Sequence, residues 1–328
     1  MATQTQLSHL RAQSAIDCDT LDVSVAEALG PFADCTSNQA IALGELTKPA
    51  NAPVLTAAAT IALSHPSPTP TLVSEIASCL LSARILPHLT GYVHTQTNPL
   101  HAFSTSDTVA DARRIVSIYA TLSPSITRER VCIKIPSTWE GLQACRILEA
   151  EGIRTLATTL FTLVQAKMAA RVGCTYVAPY VNALRVHFEE GYVDAHPGFE
   201  IAVAAQKWYE VVGAKTQVLA ASFVAPHEVM RLAGLKHVTV SPPLLAGFSQ
   251  EAFVHGQAQS LVDAWAESVQ ETEMGELLTE SQWRLELNRE DAGRGALKLV
   301  DAINIFSDVQ EKLDALCAGA LETVRAAA

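Results

Sequence analysis

Several features that would assign the chain to a common class of protein are absent. The seven cysteines are odd in number and include no Cys-x-x-Cys pair, so we expect the reduced thiols of a cytoplasmic protein rather than a disulfide framework or a zinc site. No segment is apolar for long enough to cross a membrane, and residues 1–18 contain no long apolar run. These absences argue against a membrane partner and against a secretory signal.

Positive charge is scarce as well. The chain has 23 Lys and Arg against 34 Asp and Glu, and its formal net charge is -11. Non-specific binding of nucleic acid depends on an excess of cationic side chains, so we expect no nucleic-acid partner. No glycine-rich phosphate loop follows a strand, and the candidate site residues contain no cluster with metal-ligand spacing. We therefore expect neither a metal nor an organic cofactor.

What the chain does have is an alternation of short apolar strands with helices. Its 328 residues are 49% hydrophobic, which is enough for one large core. Alternation with short connections predicts parallel strands, and eight of them close a (β/α)8 TIM barrel. The predicted strands are 14–19, 32–36, 91–96, 131–135, 153–158, 175–178, 217–222 and 238–241. The predicted helices of the later part are 139–151, 160–172, 199–212 and 226–233, each followed by a glycine.

The end of the chain predicts one more helix, over residues 308–328. Its apolar residues Val309, Leu313, Leu316 and Leu321 recur at helical spacing. This C-terminal helix packs either across the barrel or against a second subunit, so a homodimer stays open. Neither a repeat nor a clear linker divides the sequence, and we expect a single domain over 1–328.

Lys134 is the most informative single residue. It lies in the predicted strand 131–135, whose other members are Val, Cys and Ile. A strand within a βα series is covered on both faces and is normally a near-continuous apolar run. A lysine there points into the mouth of the barrel or is buried at a cost, and desolvation favours the neutral amine that attacks a carbonyl carbon. The alternative is an edge-strand lysine that points at water.

Polar residues also lie at or just after the ends of other predicted strands. Each of them alone is more typical of a turn or of a solvated group. Because the active sites of barrels are built at the C-terminal ends of several strands, the set as a whole predicts one shared site. Its members besides Lys134 are Asp19, Asn38, Gln96, Thr158 and Ser222.

The segment around Lys134 carries a resemblance to a known family. Residues 131–141, Val-Cys-Ile-Lys-Ile-Pro-Ser-Thr-Trp-Glu-Gly, resemble the Schiff-base lysine motif of the transaldolase family. The resemblance covers nearly the whole chain, and this motif is its most specific part. Five further segments match in the same order: 17–22 with the first-strand aspartate, 34–39 with the second-strand asparagine, then 160–166, 221–223 and 278–281.

This resemblance implies a role for each polar residue. Lys134 would be the Schiff-base nucleophile and Asp19 the carboxylate that transfers protons. Asn38 would orient substrate hydroxyls, Thr158 would help to hold the catalytic water, and Ser222 would contact the substrate. An iminium nitrogen takes up the electron pair of a breaking carbon–carbon bond, so the chemistry requires no metal.

The chain departs from the common transaldolase pattern at the water site. Gln96 stands where that pattern has glutamate, and Tyr180 where it has phenylalanine. The segment 178–182, Ala-Pro-Tyr-Val-Asn, instead resembles the fructose-6-phosphate aldolase branch, in which glutamine, threonine and tyrosine hold the water. Ala178 and Asn182, at the two ends of this segment, are expected to border the substrate.

A further departure concerns the two arginines that bind the substrate phosphate in the family. Ala183 and Val224 take their places, although Arg185 is close enough to leave a shifted phosphate contact open. The leading hypothesis is therefore an aldolase that acts on an unphosphorylated small carbonyl compound. Two alternatives remain: an ordinary transaldolase that passes a dihydroxyacetone unit between sugar phosphates, and a catalytically silent binding protein. The presence of Lys134 and Asp19 argues against the silent protein.

Overall fold

The predicted barrel is confirmed in a computed structural model, which describes residues 4–123, 126–254 and 259–327. Eight parallel strands close in sequence order, and the last strand pairs with the first. The strands are β1 Ala15–Asp19, β2 Cys35–Thr36, β3 Val93–Gln96, β4 Val131–Pro136, β5 Arg154–Leu160, β6 Tyr176–Pro179, β7 Gln217–Ala220 and β8 His237–Val240. The α-helices are α1 Gln6–Gln13, α2 Val23–Leu29, α3 Gln39–Leu46, α4 Ala52–Leu63, α5 Pro70–Ile85, α6 Thr105–Leu122, α7 Trp139–Ala150, α8 Leu163–Arg171, α9 Phe199–Val212, α10 Pro226–Arg231, α11 Pro242–Gln250, α12 Leu261–Ala264, α13 Glu280–Arg289 and α14 Arg294–Ala327.

The four helices predicted for the later part of the chain are confirmed, with shifts at some ends. α9 has the predicted bounds and ends at Gly213, whose φ of 66° lies in the left-handed region that glycine adopts without steric cost. α8 begins later than predicted, because the Thr162 side chain caps it by accepting a hydrogen bond from the Gln165 backbone N–H. α7 and α10 end slightly earlier than predicted.

Most predicted strand ends are displaced by a residue or more, and the two C-terminal ends that are displaced furthest both lie beside a residue with left-handed backbone. β5 continues to Leu160, beyond the predicted end at 158, through a bulge in which Thr159 has a φ of 50°. β7 ends at Ala220 rather than at 222, because the φ of 67° at Ser222 is incompatible with an extended strand. The predicted strand 32–36 is reduced to β2, and Phe32 makes only an isolated bridge to Leu89.

The C-terminal helix is confirmed but is longer than predicted. α14 begins at Arg294 rather than at 308, and its predicted last residue, Ala328, lies outside the described residues. It packs against α3, α4, α5 and β5, and it buries Phe306 and Leu313. The helix therefore lies across the barrel, and contact with a second subunit stays a prediction. Within the described ranges, no helix has the length and hydropathy needed to cross a membrane.

Candidate active site

A cavity of about 370 Å³ opens at the C-terminal ends of the strands. This is the end of the barrel at which the active sites of the fold are built, and the volume suits a small molecule. Five of the predicted site residues line it: Asp19, Asn38, Lys134, Tyr180 and Ser222. Much of the remaining wall is apolar and comes from Ala40, Ile41, Leu184, Phe188, Ala221, Phe223 and Phe306.

Lys134 projects into this cavity from β4. Its side chain is buried, with a relative exposure of 3% for the residue, and its Nζ donates a hydrogen bond to the backbone carbonyl of Ser37 at 3.2 Å. Within the described residues, no carboxylate lies within 4 Å of Nζ to form an ion pair. A buried amine with one neutral hydrogen-bond partner is suited to attack a carbonyl carbon once it has lost its proton.

A chain of hydroxyl groups holds the carboxylate of Asp19. Thr36 Oγ1 donates to Asp19 Oδ1 at 2.6 Å, and Thr239 Oγ1 lies 2.6 Å from Thr36 Oγ1. Because the only hydroxyl proton of Thr36 goes to Asp19, the second bond must be donated by Thr239. The sequence analysis missed both threonines. The only feature that could have identified them is a hydroxyl group in an otherwise apolar strand, at the end of β2 for Thr36 and inside β8 for Thr239.

Thr158 and Tyr180 lie together on the neighbouring part of the rim. The Thr158 hydroxyl is 3.2 Å from the Tyr180 phenol oxygen, and both side chains are buried. The Tyr180 ring packs edge-on against Phe161, with ring centroids 5.6 Å apart. The contact brings together two residues that sequence analysis assigned separately to the water site.

Gln96 lies beside Lys134, with which it is paired in the register between β3 and β4. Both polar atoms of its side-chain amide are buried and have no hydrogen-bond partner in the protein, and the same holds for Gln39 Oε1. Gln39 and Gln96 both line a second, polar cavity of about 20 Å³, which is close to the space that one water molecule needs. A water there would satisfy amide groups that are otherwise costly to bury.

Ala183 and Val224, the two positions predicted to correspond to the phosphate-binding arginines of the family, both have backbone amides from which carboxylates of the chain accept hydrogen bonds. The backbone N–H of Ala183 donates to Asp194 Oδ2 at 2.7 Å, and the backbone N–H of Val224 donates to Glu228 Oε2, also at 2.7 Å. Each amide that could have bound a phosphate is therefore already occupied by a carboxylate of the chain. Arg185 is exposed, pairs with Glu189 and stacks over the Tyr192 ring, so its side chain does not line the cavity.

Asn182 and Ser222 connect this region to the cavity. The Asn182 side-chain amide donates to both oxygens of Glu228, at 3.1 and 3.0 Å, and to the Ser222 carbonyl at 3.0 Å. The Ser222 hydroxyl in turn donates to the Asn182 carbonyl at 2.9 Å, and His187 Nε2 is 3.0 Å from the same hydroxyl oxygen. Ala178 is buried within β6 and does not line the cavity. Sequence analysis missed Glu228 and His187, for which no local pattern is diagnostic.

A separate polar cluster lies deeper in the barrel. Ligand atoms of Asp17, Asp34 and His237 lie within 4.8 Å of one another, which makes this the one group of described residues with a geometry suited to a metal ion. The cluster forms imidazole–carboxylate pairs, His237 Nδ1 with Asp17 at 3.0 Å and His94 Nε2 with Asp34 at 2.8 Å. Burial raises the pKa of Asp17. At Asp34 burial is again the largest single effect, but the bond and charge of His94, the backbone N–H of Tyr92 and the charge of His237 together outweigh it and lower the pKa. None of the four side chains lines the cavity.

Comparisons with known proteins agree with the motifs and the barrel. A model of the transaldolase/fructose-6-phosphate aldolase family matches residues 16–316. A transaldolase from Methylomonas aminofaciens is 32% identical over 313 residues, which cover 93% of this chain and 96% of that protein. A transaldolase from Methylobacillus flagellatus is 32% identical over 314 residues, with 93% and 96% of the two chains covered. The resemblance carried by the motifs is thus confirmed, and the chain belongs to the transaldolase/fructose-6-phosphate aldolase family of enzymes.

Proposed function

We propose that the enzyme is a Schiff-base aldolase that makes or breaks a carbon–carbon bond on a small carbonyl substrate without a phosphate. Membership of the family makes it an enzyme of the class I aldolase and transferase type. The observation that carries the finer proposal is the pair of carboxylates, Asp194 and Glu228, that occupy the backbone amides of Ala183 and Val224. A homodimer and a location in the cytoplasm stay predictions.

In the proposed reaction Lys134 Nζ attacks the carbonyl carbon, and loss of the oxygen as water leaves an iminium ion. The bond between the α and β carbons, counted from the iminium carbon, then breaks, and its electron pair forms the carbon–carbon double bond of an enamine as the iminium nitrogen is neutralised. Asp19 takes the hydroxyl proton of the departing fragment, which leaves as an aldehyde. Protonation of the enamine carbon and hydrolysis of the resulting iminium release the second product and restore the amine.

The water for hydrolysis is assigned to Gln96, Thr158 and Tyr180. Gln96 offers an amide nitrogen with two N–H donors and an amide oxygen, neither of which has a protein partner, and the hydroxyls of the other two residues lie together. None of the three carries a charge in its ordinary state. In this arrangement a phenol stands where the common pattern has an aromatic ring without a hydroxyl, which favours direct release of the donor fragment over transfer to a second sugar.

The proposal that the substrate has no phosphate is supported by the charges around the cavity. Within the described part of the chain, Lys134 is the sole lysine or arginine that lines the cavity. Glu228 is buried and has no lysine or arginine within 4 Å among the described residues, so its charge remains uncompensated by a cation. A phosphate dianion placed near it would meet like charge instead of the two guanidinium groups of the family. Losing two charge-assisted bonds of about 1.5–3 kcal/mol each weakens sugar-phosphate binding by about two orders of magnitude or more.

The names of the two relatives support a second candidate, the transfer of a dihydroxyacetone unit between sugar phosphates. Two measurements separate the candidates. An intact-mass screen of aldehydes and ketones with borohydride identifies compounds that form a reducible adduct, and kcat/KM is then compared for fructose and fructose 6-phosphate. We expect an adduct on Lys134 and a preference for unphosphorylated compounds. Efficient turnover of the phosphate ester would establish the second candidate. If no compound forms an adduct, the hypothesis of a catalytically silent binding protein is favoured instead.

A further inference from the structure

His187 is the one titratable residue lining the cavity, among those that the structure describes, that the proposed reaction does not use. It ends the 3-10 helix Leu184–His187, between β6 and α9, and lies at the mouth of the cavity. The exposed side chain of Phe188 and the buried side chain of Leu184 line the cavity beside it. The residue is therefore placed to contact the end of a substrate that lies away from Lys134.

The hydrogen bonds around His187 fix which ring nitrogen carries the proton. The Ser222 hydroxyl has a single proton, which it donates to the Asn182 carbonyl, since a carbonyl oxygen can only accept. His187 Nε2, which lies 3.0 Å from the same hydroxyl oxygen, must therefore be the donor. In a neutral imidazole the other nitrogen, Nδ1, is then a bare acceptor. Within the described residues, Nδ1 has no hydrogen bond.

The neutral ring is favoured by its surroundings. His187 is exposed at the mouth of the cavity, and partial desolvation of its ring lowers its pKa, against the opposing effect of Asp19 and Glu228. The ring is held in place through Ser222 and Asn182, whose side-chain amide is anchored on buried Glu228. Ser222 itself keeps a left-handed φ of 67°, a strained conformation that these bonds stabilise.

We propose that His187 and the apolar wall beside it form a subsite for an uncharged substrate group that carries a hydroxyl. The hydroxyl donates to His187 Nδ1, and the carbon skeleton packs against Leu184 and Phe188. Anions are disfavoured, because both Nδ1 and the nearby carboxylate of Glu228 present negative charge density. The subsite rests on the proposed aldolase function and indicates its substrate class. That class is a carbonyl compound with an apolar body and a hydroxyl at the end far from the carbonyl group.

Matched aldehydes test the subsite by competition for Lys134. The probes are the meta and para isomers of (hydroxymethyl)benzaldehyde, (methoxymethyl)benzaldehyde and formylbenzoate, which share an aromatic ring. The hydroxymethyl group can donate a hydrogen bond, the methoxymethyl group can only accept one, and the carboxylate of formylbenzoate carries a negative charge. Each is trapped on the protein with cyanoborohydride, and the concentration for half-maximal labelling of the Lys134 peptide is measured. We expect the hydroxymethyl compound to label at about tenfold lower concentration than either of the others, which is the usual effect of one net hydrogen bond.

Two variants assign that preference to His187. His187→Phe keeps a ring but removes the acceptor, so the ratio between the hydroxymethyl and methoxymethyl probes should fall to about one. His187→Gln restores an acceptor oxygen and should recover part of the ratio. The matched control is Glu190→Gln, an exposed neighbour outside the cavity, which should leave the ratio as it is in the parent. A ratio near one in the parent, a preference for formylbenzoate, or a hydroxymethyl preference that survives His187→Phe would each overturn the subsite.

Calorimetry separates a failure of the subsite from a failure of the aldolase proposal. Benzyl alcohol, benzyl methyl ether and benzoate carry the same groups but cannot form an imine, so their binding does not depend on the reactivity of Lys134. The subsite predicts the tightest binding for the alcohol and a loss of that advantage in His187→Phe. If no aldehyde labels Lys134 but the alcohol still binds preferentially, the Schiff-base proposal is wrong and the subsite stands. Equal binding of all three compounds contradicts the subsite.

Discussion

The hydroxyl of Thr158 lies 3.2 Å from the phenol oxygen of Tyr180, and neither side chain is exposed to bulk water. Thr158 comes immediately before the left-handed residue Thr159 in the β5 bulge. Bulges commonly re-aim a side chain near an active site. The pair therefore gives the cavity a hydroxyl donor for the proposed water.

Tyr180→Phe should lower kcat by about 10²-fold or more, because a proton-transfer group commonly contributes that much to a rate. The ring and its packing against Phe161 are kept, so folding should be little affected. The measurement is kcat for cleavage of the best substrate found in the mass screen. Tyr192→Phe, which alters a half-buried tyrosine outside the cavity, is the matched control. An unchanged rate in Tyr180→Phe would leave the phenol with a packing role only.

Lys134→Met should abolish both the borohydride-dependent adduct and turnover, because methionine fills a similar volume but has no amine. Peptide mapping after reduction shows which lysine carries the adduct. Lys207→Met on α9, whose lysine lies outside the cavity, should keep the adduct and the activity. Labelling of another lysine, together with full activity of Lys134→Met, is incompatible with the proposed nucleophile.

The double variant Ala183→Arg with Val224→Arg should raise kcat/KM for fructose 6-phosphate relative to fructose. The new guanidinium groups will first pair with Asp194 and Glu228, so the gain should be larger when Glu228→Gln is added. Ratios of kcat/KM for the two sugars measure the effect without depending on enzyme concentration. Should the unmodified enzyme already prefer the phosphate ester and lose that preference in Arg185→Ala, the phosphate site has moved to Arg185.

Dialysis against a chelator should leave the activity of the enzyme unchanged, because the proposed reaction uses an iminium ion as its electron sink. The cluster of Asp17, Asp34 and His237 makes the test informative, since its geometry would suit a metal ion. Metal content measured by plasma mass spectrometry before and after dialysis shows whether this cluster had been loaded. Activity that disappears on dialysis and returns with zinc or magnesium would contradict the metal-free reaction.

The ion pair between Asp194 and Lys298, 2.7 Å apart, ties the region after β6 to α14. Burial raises the pKa of Asp194, but the bonds from Lys298 and from two backbone amides outweigh it and leave the pKa below its ordinary value. The pair therefore stabilises the fold above the ordinary carboxylate pKa, and this stability is lost as the pH falls through the lowered pKa. Lys298→Met should reduce the free energy of unfolding at neutral pH by about 2 kcal/mol.

Urea unfolding at a series of pH values measures this effect. The difference between parent and Lys298→Met should be largest at neutral pH and should shrink as Asp194 becomes protonated. Lys312→Met on the exposed side of α14 controls for the loss of a lysine from the same helix. A difference that does not change with pH would show that the methionine acts through packing rather than through the charge of Asp194.

The sequence by itself determined the barrel and the place of the proposed nucleophile. Glycines at helix ends and apolar runs of strand length are local signals. They predicted the later helices and the strands because each such element is decided largely by its own residues. Lys134 was recognisable because it interrupts the apolar run Val131–Pro136. In a strand covered on both faces, a lysine does not contribute to the apolar packing. The sequence also showed that the two arginines are absent, because residue identities alone reveal a replacement.

Tertiary structure alone decided what surrounds that lysine. The hydroxyl chain to Asp19 joins Thr36 to Thr239, which are 203 residues apart, and the bond between Asn182 and Glu228 spans 46 residues. Arg185 lies outside the cavity because the short 3-10 helix Leu184–His187 places its side chain against Glu189, and the sequence analysis did not predict that helix. Hydrogen bonds of a few ångströms between distant residues depend on the closure of the barrel and on single backbone dihedrals such as φ of Ser222. Neither the closure of the barrel nor such a dihedral angle can be predicted from a short segment of the sequence.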